Sequence, residues 1–103
     1  MHKIAFFVPQ SHLEVVKGAL FAAGAGTIGN YGHCAWQTSG EGQFMALDGA
    51  DPFLGKVGEL ERVREFKVEM VCADSQVVAA IDALKRSHPY ETPAYEVWLL
   101  ADY

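Results

Sequence analysis

Nine of the ten glycines in this chain fall between Gly24 and Gly58. Glycine costs a helix interior about 1 kcal/mol relative to alanine. The middle third of the chain is therefore expected to be turn, loop and strand, with helices confined to the stretches before and after it. A second turn-like word, His88-Pro89-Tyr90-Glu91-Thr92-Pro93, stands apart near the C-terminus. Together the two mark where the backbone is specialised, and so where a site or an interface is expected.

Around these landmarks the pattern is regular. Lys3 to Val8 predicts a short strand, apolar on both faces and so central in a sheet. Ser11-His12-Leu13-Glu14 fits a capping box. The helix it opens carries Leu13, Val16, Ala19, Leu20 and Ala23 on one stripe and ends at Gly24. Tyr31 to Thr38 and Gln43 to Leu47 predict two strands, with Ser39-Gly40-Glu41-Gly42 as the hairpin turn between them. Asp48 to Lys56 is a loop.

A long strand follows, around Leu60 to Cys72. Phe66, Val68, Met70 and Cys72 share one face, and Val63 falls out of step, which predicts a bulge near Arg64. Asp74 or Ser75 is expected to cap a second helix bearing Val77, Val78, Ile81 and Leu84. Lys85, Arg86 and His88 fall at its C-terminal end, where positive charge is favoured, and Pro89 stops it. Tyr95 to Leu100 is the last strand.

The order is βαβββαβ, or βαββαβ when the hairpin and long strand are counted loosely. Either predicts a ferredoxin-like α+β fold, one antiparallel sheet with two helices on one face, spanning residues 1–103 as a single domain. The other face would then carry Phe7, Trp36 or His33, and Trp98 or Tyr95. Burial against another copy of the chain is the expected remedy, which makes the protein a homo-oligomer.

Half of the residues are hydrophobic, so a core is affordable. A formal charge of −5 with only eight lysines and arginines argues against nucleic acid and against an anionic membrane surface. Cys34 and Cys72 are too few for a disulfide scaffold, so a reduced, cytoplasmic protein is expected. The apolar run before Pro9 is too short for a signal-peptide core, and no stretch approaches transmembrane length.

Gly24-Ala25-Gly26-Thr27-Ile28-Gly29 matches G-x-G-x-x-G literally. The dinucleotide fingerprint needs a strand before it and a helix after it, and here that order is reversed. The expected role is a helix end running into an irregular loop, whose exposed amides could still meet an anion. His33 and Cys34 are adjacent, so on a strand they face opposite sides and cannot share one ion within one chain. His88 and Glu91 span a proline turn and could converge on a divalent metal. The structural alternative is that His88 caps the second helix, Tyr90 packs, and Glu91 bonds nearby amides. Metal binding between subunits, through His33 or His88, stays open. Ser11, Ser39 and Ser75 sit at caps and turns, and no nucleophile has a visible base. Glu59, Glu61, Glu65 and Glu69 read as a solvated strand face.

Taken in order, these words form a combination. Gly24 to Tyr31 leads to Cys34 and Trp36, then to Gly40-Glu41-Gly42-Gln43-Phe44, Gly49-Ala50-Asp51-Pro52, Gly55 and Gly58. Glu61, Val63 and Glu69 follow, and then His88-Pro89-Tyr90-Glu91 with Pro93. From Lys3 to Leu100 this resembles the inserted domain of the YqfO branch of the Ngg1-interacting-factor-three-like family. The His-Pro-Tyr-Glu word is also similar to one in the CutA divalent-cation tolerance proteins.

The resemblance implies a ferredoxin-like domain of CutA and PII shape. Those relatives form trimers with ligand sites at subunit boundaries, so a trimer is expected ahead of a dimer. Full-length members of the factor-three-like family carry a dinuclear metal centre whose His, Asp and Glu ligands lie in domains flanking the insert. Without such flanks, this chain is expected to lack the residues on which hydrolase or cyclohydrolase activity would rest. Met45-Ala46-Leu47 departs from a proline-containing stretch expected in members. The PII nucleotide loop is not recognisable, so adenine-nucleotide binding is not implied.

The function expected is thus a non-enzymatic, oligomeric binding or regulatory module, taking a small ligand or a divalent metal. Its site is expected where the Gly26–His33 loop meets the His88–Glu91 turn, within a subunit or across an interface. Gly26 and Gly29 would let backbone approach the ligand, with polar contacts from Asn30, Tyr31, His33, His88, Tyr90 and Glu91. The rivals are a small metal-dependent hydrolase, with His33, His88 and Glu91 gathered between subunits, and a partner that docks onto a larger protein.

Overall fold

The structure, a computed structural model, describes residues 1–103. Its elements are β1 (His2–Pro9), α1 (Leu13–Ala22), β2 (Trp36–Met45), β3 (Leu60–Cys72), α2 (Val77–Ser87) and β4 (Tyr95–Leu99). A single 3-10 turn precedes each helix. The strands form one antiparallel sheet in the order β2-β3-β1-β4. Successive strand residues point to opposite faces. On one face Ile4, Phe6, Val8, Val68, Met70 and Cys72 are buried beneath Leu13, Val16 and Leu20 of α1 and Ala80 and Leu84 of α2. This is the ferredoxin-like α+β fold that the element order predicts, with both helices on one face. The inner position of β1, paired with β3 and β4, accounts for its apolar residues on both faces. No helix is long and apolar enough to cross a membrane.

Gly24 ends α1 as expected, with a φ of 104°. Its N–H donates to the Phe21 carbonyl and the Ala25 N–H to the Leu20 carbonyl, the paired bonds of a Schellman motif.

Five local expectations are corrected. The hairpin at Ser39–Gly42 does not exist, because β2 runs unbroken from Trp36 to Met45 along β3. Gly40 and Gly42 sit inside that strand without positive φ. There is no bulge at Arg64 either. The pairing keeps one register from Trp36↔Glu69 to Met45↔Leu60. Val63 is out of step because β1 reaches only Glu65, so the rest of β3 continues with β2 as a two-stranded arm beyond the core. That arm contributes to a long axis of 46 Å against 24 Å across.

The capping box at Ser11 is replaced by a 3-10 turn, Gln10–His12, which follows Pro9. The Ser11 hydroxyl pairs with His12 Nδ1, and α1 begins at Leu13 with no side-chain cap. Neither Asp74 nor Ser75 caps α2. The Asp74 carboxylate accepts instead from the chain's amino group, at 2.6 Å, and lies 2.7 Å from His2 Nδ1. On α2 itself, Val78 points into solvent and Ala80 and Ala83 take the inner positions.

Candidate functional site

The C-terminal turn is fixed by one imidazole. The His88 N–H caps α2 on the Leu84 carbonyl at 2.9 Å. Its ring is 6% exposed and reaches across to β1. A carbonyl can only accept and an amide N–H can only donate, which sets the tautomer. Nε2–H donates to the Phe7 carbonyl at 2.7 Å, and Nδ1 accepts from the Tyr90 N–H at 3.1 Å. The ring is therefore neutral, and burial pulls its pKa below the usual imidazole value, with nearby His12 acting in the same direction. The Phe7 N–H, donating to the Ala94 carbonyl at 3.2 Å, ties down the far end of the turn.

Held this way, Tyr90 lies against Phe44 of the arm and Phe53 of the 47–56 loop, with ring centroids 5.9 Å and 6.3 Å away. Glu91 Oε1 accepts from the Asp51 N–H at 3.1 Å and clips that loop to the turn. The loop's base is closed where the Gly58 N–H meets the Ala46 carbonyl at 2.8 Å. Arm, loop and turn enclose an apolar cleft of about 580 Å³ at one end of the sheet face that the helices leave open. Phe7, Phe44, Met45 and Phe53 line it, with Glu65 and Tyr90 as polar wall.

The Tyr90 hydroxyl is buried and has no aligned hydrogen-bond partner. Burial, then the adjacent Glu65 carboxylate, raise its pKa well above the usual phenol value. The Glu65 side chain leans diagonally over Gly42, where any Cβ would collide with its carboxylate.

The two halves of the site expected from the sequence do not meet within the chain. Gly26 donates to the Val71 carbonyl at 2.7 Å and accepts from the Cys34 N–H at 2.8 Å, so both of its backbone groups are used by the protein. Val71 lies six residues along β3 from Glu65, about 20 Å at strand rise. Gly29 and Asn30 form an exposed turn between Ile28 and Tyr31, whose N–H and carbonyl groups pair in both directions. Tyr31 is exposed, and His33 stacks on Phe21 at 4.7 Å. This loop borders a second, shallower cleft of about 500 Å³, lined by Ile28, Cys34, Trp36 and Lys3.

His33, His88 and Glu91 likewise do not converge in one chain on a metal. No group of three His, Cys, Asp or Glu side chains stands ready for an ion. Both His88 nitrogens are already bonded, and Glu91 is committed to Asp51. Of the expected set, the structure brings only Tyr90 and Glu91 to the larger cleft. Sequence reasoning missed Phe7, Gly42, Phe44, Phe53 and Glu65 as members of it. Glu65 shares the open face with Phe7, but that is visible only once the β1–β3 register, Phe7↔Lys67, is known.

No protein-family model matches the chain. Among curated proteins it is similar to the GTP cyclohydrolase 1 type 2 homologs of Mycobacterium leprae, 44% identical over 97% of the chain, and Bacillus subtilis, 49% identical over 95% of it. In each case it spans only 26% of the relative's length. Among solved structures, a Bacillus cereus protein related to NIF3 superposes with a TM-score of 0.84 at 40% identity, over 98% of this chain and 26% of that one. The CutA of Archaeoglobus fulgidus follows the whole chain and 87% of its own length, with a TM-score of 0.70 at 18% identity. B. subtilis GlnK matches 94% of this chain and 82% of its own, with a TM-score of 0.61 at 15% identity. The chain thus resembles in sequence a quarter-length stretch of the NIF3-related proteins, and its fold is the ferredoxin-like fold of CutA and GlnK.

Proposed function

We propose that the chain is a non-catalytic binding and regulatory module that assembles with copies of itself and takes a small ligand in the larger cleft. The observation that carries the assembly is the uncovered face of the sheet. The helices bury one face only. The other presents Trp36 on one edge strand and Trp98 on the other, 60% and 43% exposed, with the half-buried Phe7 and Val71 on the strands between. Cover by a second copy would take these rings out of water. Tyr95 and His33, the alternatives raised from the sequence, are not on this face. Tyr95 packs on the core and His33 on Phe21. A divalent metal would need donors from two copies, since one chain gathers no such group.

Light scattering and elemental analysis on one sample test the reading. The expected result is a native mass of three copies of the 11.3 kDa chain without stoichiometric metal. The double variant Trp36→Glu, Trp98→Glu is expected to run as a folded monomer. A wild-type monomer at the same concentration would overturn the assembly, and metal in a fixed ratio would favour the hydrolase reading instead.

A further inference from the structure

The larger cleft has a charge pattern that folding does not require. Phe7, Phe44, Phe53 and Tyr90 line it, and no lysine, arginine or histidine does. Its ionisable acids are Glu65 and Glu91. Glu91 is committed to the Asp51 N–H. Glu65 has no cationic partner anywhere in the chain. Its carboxylate occupies the space that Gly42 leaves by having no side chain. In the same cleft the Tyr90 hydroxyl is buried beside that carboxylate, with no other hydrogen-bond partner. The phenol can give its one proton to that carboxylate, which leaves the carboxylate's charge and the phenol oxygen's lone pairs without a donor inside an aromatic wall.

We infer that the cleft takes a small organic cation, an amine on an apolar ring-sized body, with its ammonium donating to the Glu65 carboxylate and the Tyr90 oxygen and its body seated among Phe7, Phe44 and Phe53. The inference rests on the reading of this cleft as the ligand site. A phosphate or carboxylate ligand meets two acids and no positive charge there, so anions are rejected. A cation gains both the charge-assisted bond and the electron-rich ring faces. The volume of about 580 Å³ lies within the usual range of small-molecule sites, about 300–1,000 Å³.

Three compounds that differ only at the end of one chain test this: tryptamine, 3-propylindole and indole-3-propionate, titrated into the intact protein and followed by amide chemical shifts. Tryptamine is expected to move the Gly42, Phe53 and Thr92 amides and to bind about tenfold tighter than 3-propylindole. Indole-3-propionate is expected to move none of them. Glu65→Gln should weaken tryptamine about tenfold and leave 3-propylindole unchanged, and Tyr90→Phe should weaken tryptamine about threefold. Equal binding of tryptamine and 3-propylindole, insensitive to Glu65→Gln, overturns the cation while the ligand cleft stands. If no compound moves these amides, or the shifts fall on Lys3, Ile28 and Trp36, the cleft reading fails with it.

Discussion

Gly26 and Gly29 lie three residues apart and are needed for different reasons. Gly29 has a φ of 57° and open space around it, so alanine there meets only the left-handed backbone penalty. Gly26 has a φ of 81°, and a Cβ would stand 2.7 Å from the Phe21 ring and 3.0 Å from the Cys34 carbonyl. Gly29→Ala is expected to cost about 1 kcal/mol and Gly26→Ala about 2–4 kcal/mol, by urea unfolding. His88 supplies a pH signature. Its folded pKa is depressed, so the unfolded chain binds the proton first. The stability it contributes is fully present above about pH 6.5 and is lost as the pH falls from there through the folded value. Unfolding measured between pH 7 and pH 5 should show that loss. His88→Gln should start about 1–3 kcal/mol less stable at pH 7 and show a shallower decline. An unchanged slope would mean that His88 is not the group that titrates.

At the scale of elements, α2 separates what periodicity can tell from what it cannot. Val77, Val78, Ile81 and Leu84 all fit a helical stripe, yet Val78 is 83% exposed while Leu84 is fully buried. A stripe three or four residues wide tolerates a shift of some tens of degrees, and only the seat of the helix on the sheet picks its centre. Val78→Ala is expected to be neutral or stabilising by up to about 0.5 kcal/mol, whereas Leu84→Ala is expected to cost about 2–5 kcal/mol. Thermal unfolding of the pair decides it, and a large loss at Val78 would show that face to be covered in solution. The strand β2 teaches the reverse lesson. Ser39-Gly40-Glu41-Gly42 has hairpin chemistry, but ten consecutive pairings with β3 hold the segment extended. Long-range ladder bonds outweigh a local turn preference whose two glycines make strand and turn equally accessible.

At the scale of the molecule, the four-stranded sheet with helices on one side leaves an aromatic-bearing face without cover from its own chain. If copies assemble through it, unfolding is coupled to dissociation, and the melting temperature should rise with protein concentration. The double variant Trp36→Glu, Trp98→Glu should melt at a temperature independent of concentration. A wild-type transition that also ignores concentration would count against assembly through this face.

The fold was legible because the continuous apolar run of β1, the alternation in the second half of β3, the apolar stripe of α1 and the stop at Gly24 are local properties of the chain. They read the same in sequence as in space, whereas the choice of Trp36 over His33 and of Trp98 over Tyr95 for the open face waited for the strand registers. The larger cleft was half legible. Tyr90 and Glu91 announce themselves by sitting in a proline-bounded turn. Glu65, Gly42, Phe44 and Phe7 become neighbours only through the register of three strands, and a single-residue slip would send each to the opposite face. The joint use of His88 by a helix end, a strand and a turn was equally hidden, because its partner Phe7 is 81 residues away. The chain's local pattern was enough for β1, α1, β3, α2 and β4 and for both helices on one sheet face, but not for the single strand Trp36–Met45. The tertiary structure alone decided that Gly26–His33 and His88–Glu91 lie at opposite ends of the sheet, because strand length along β3, and not nearness in motif, sets the distance between them.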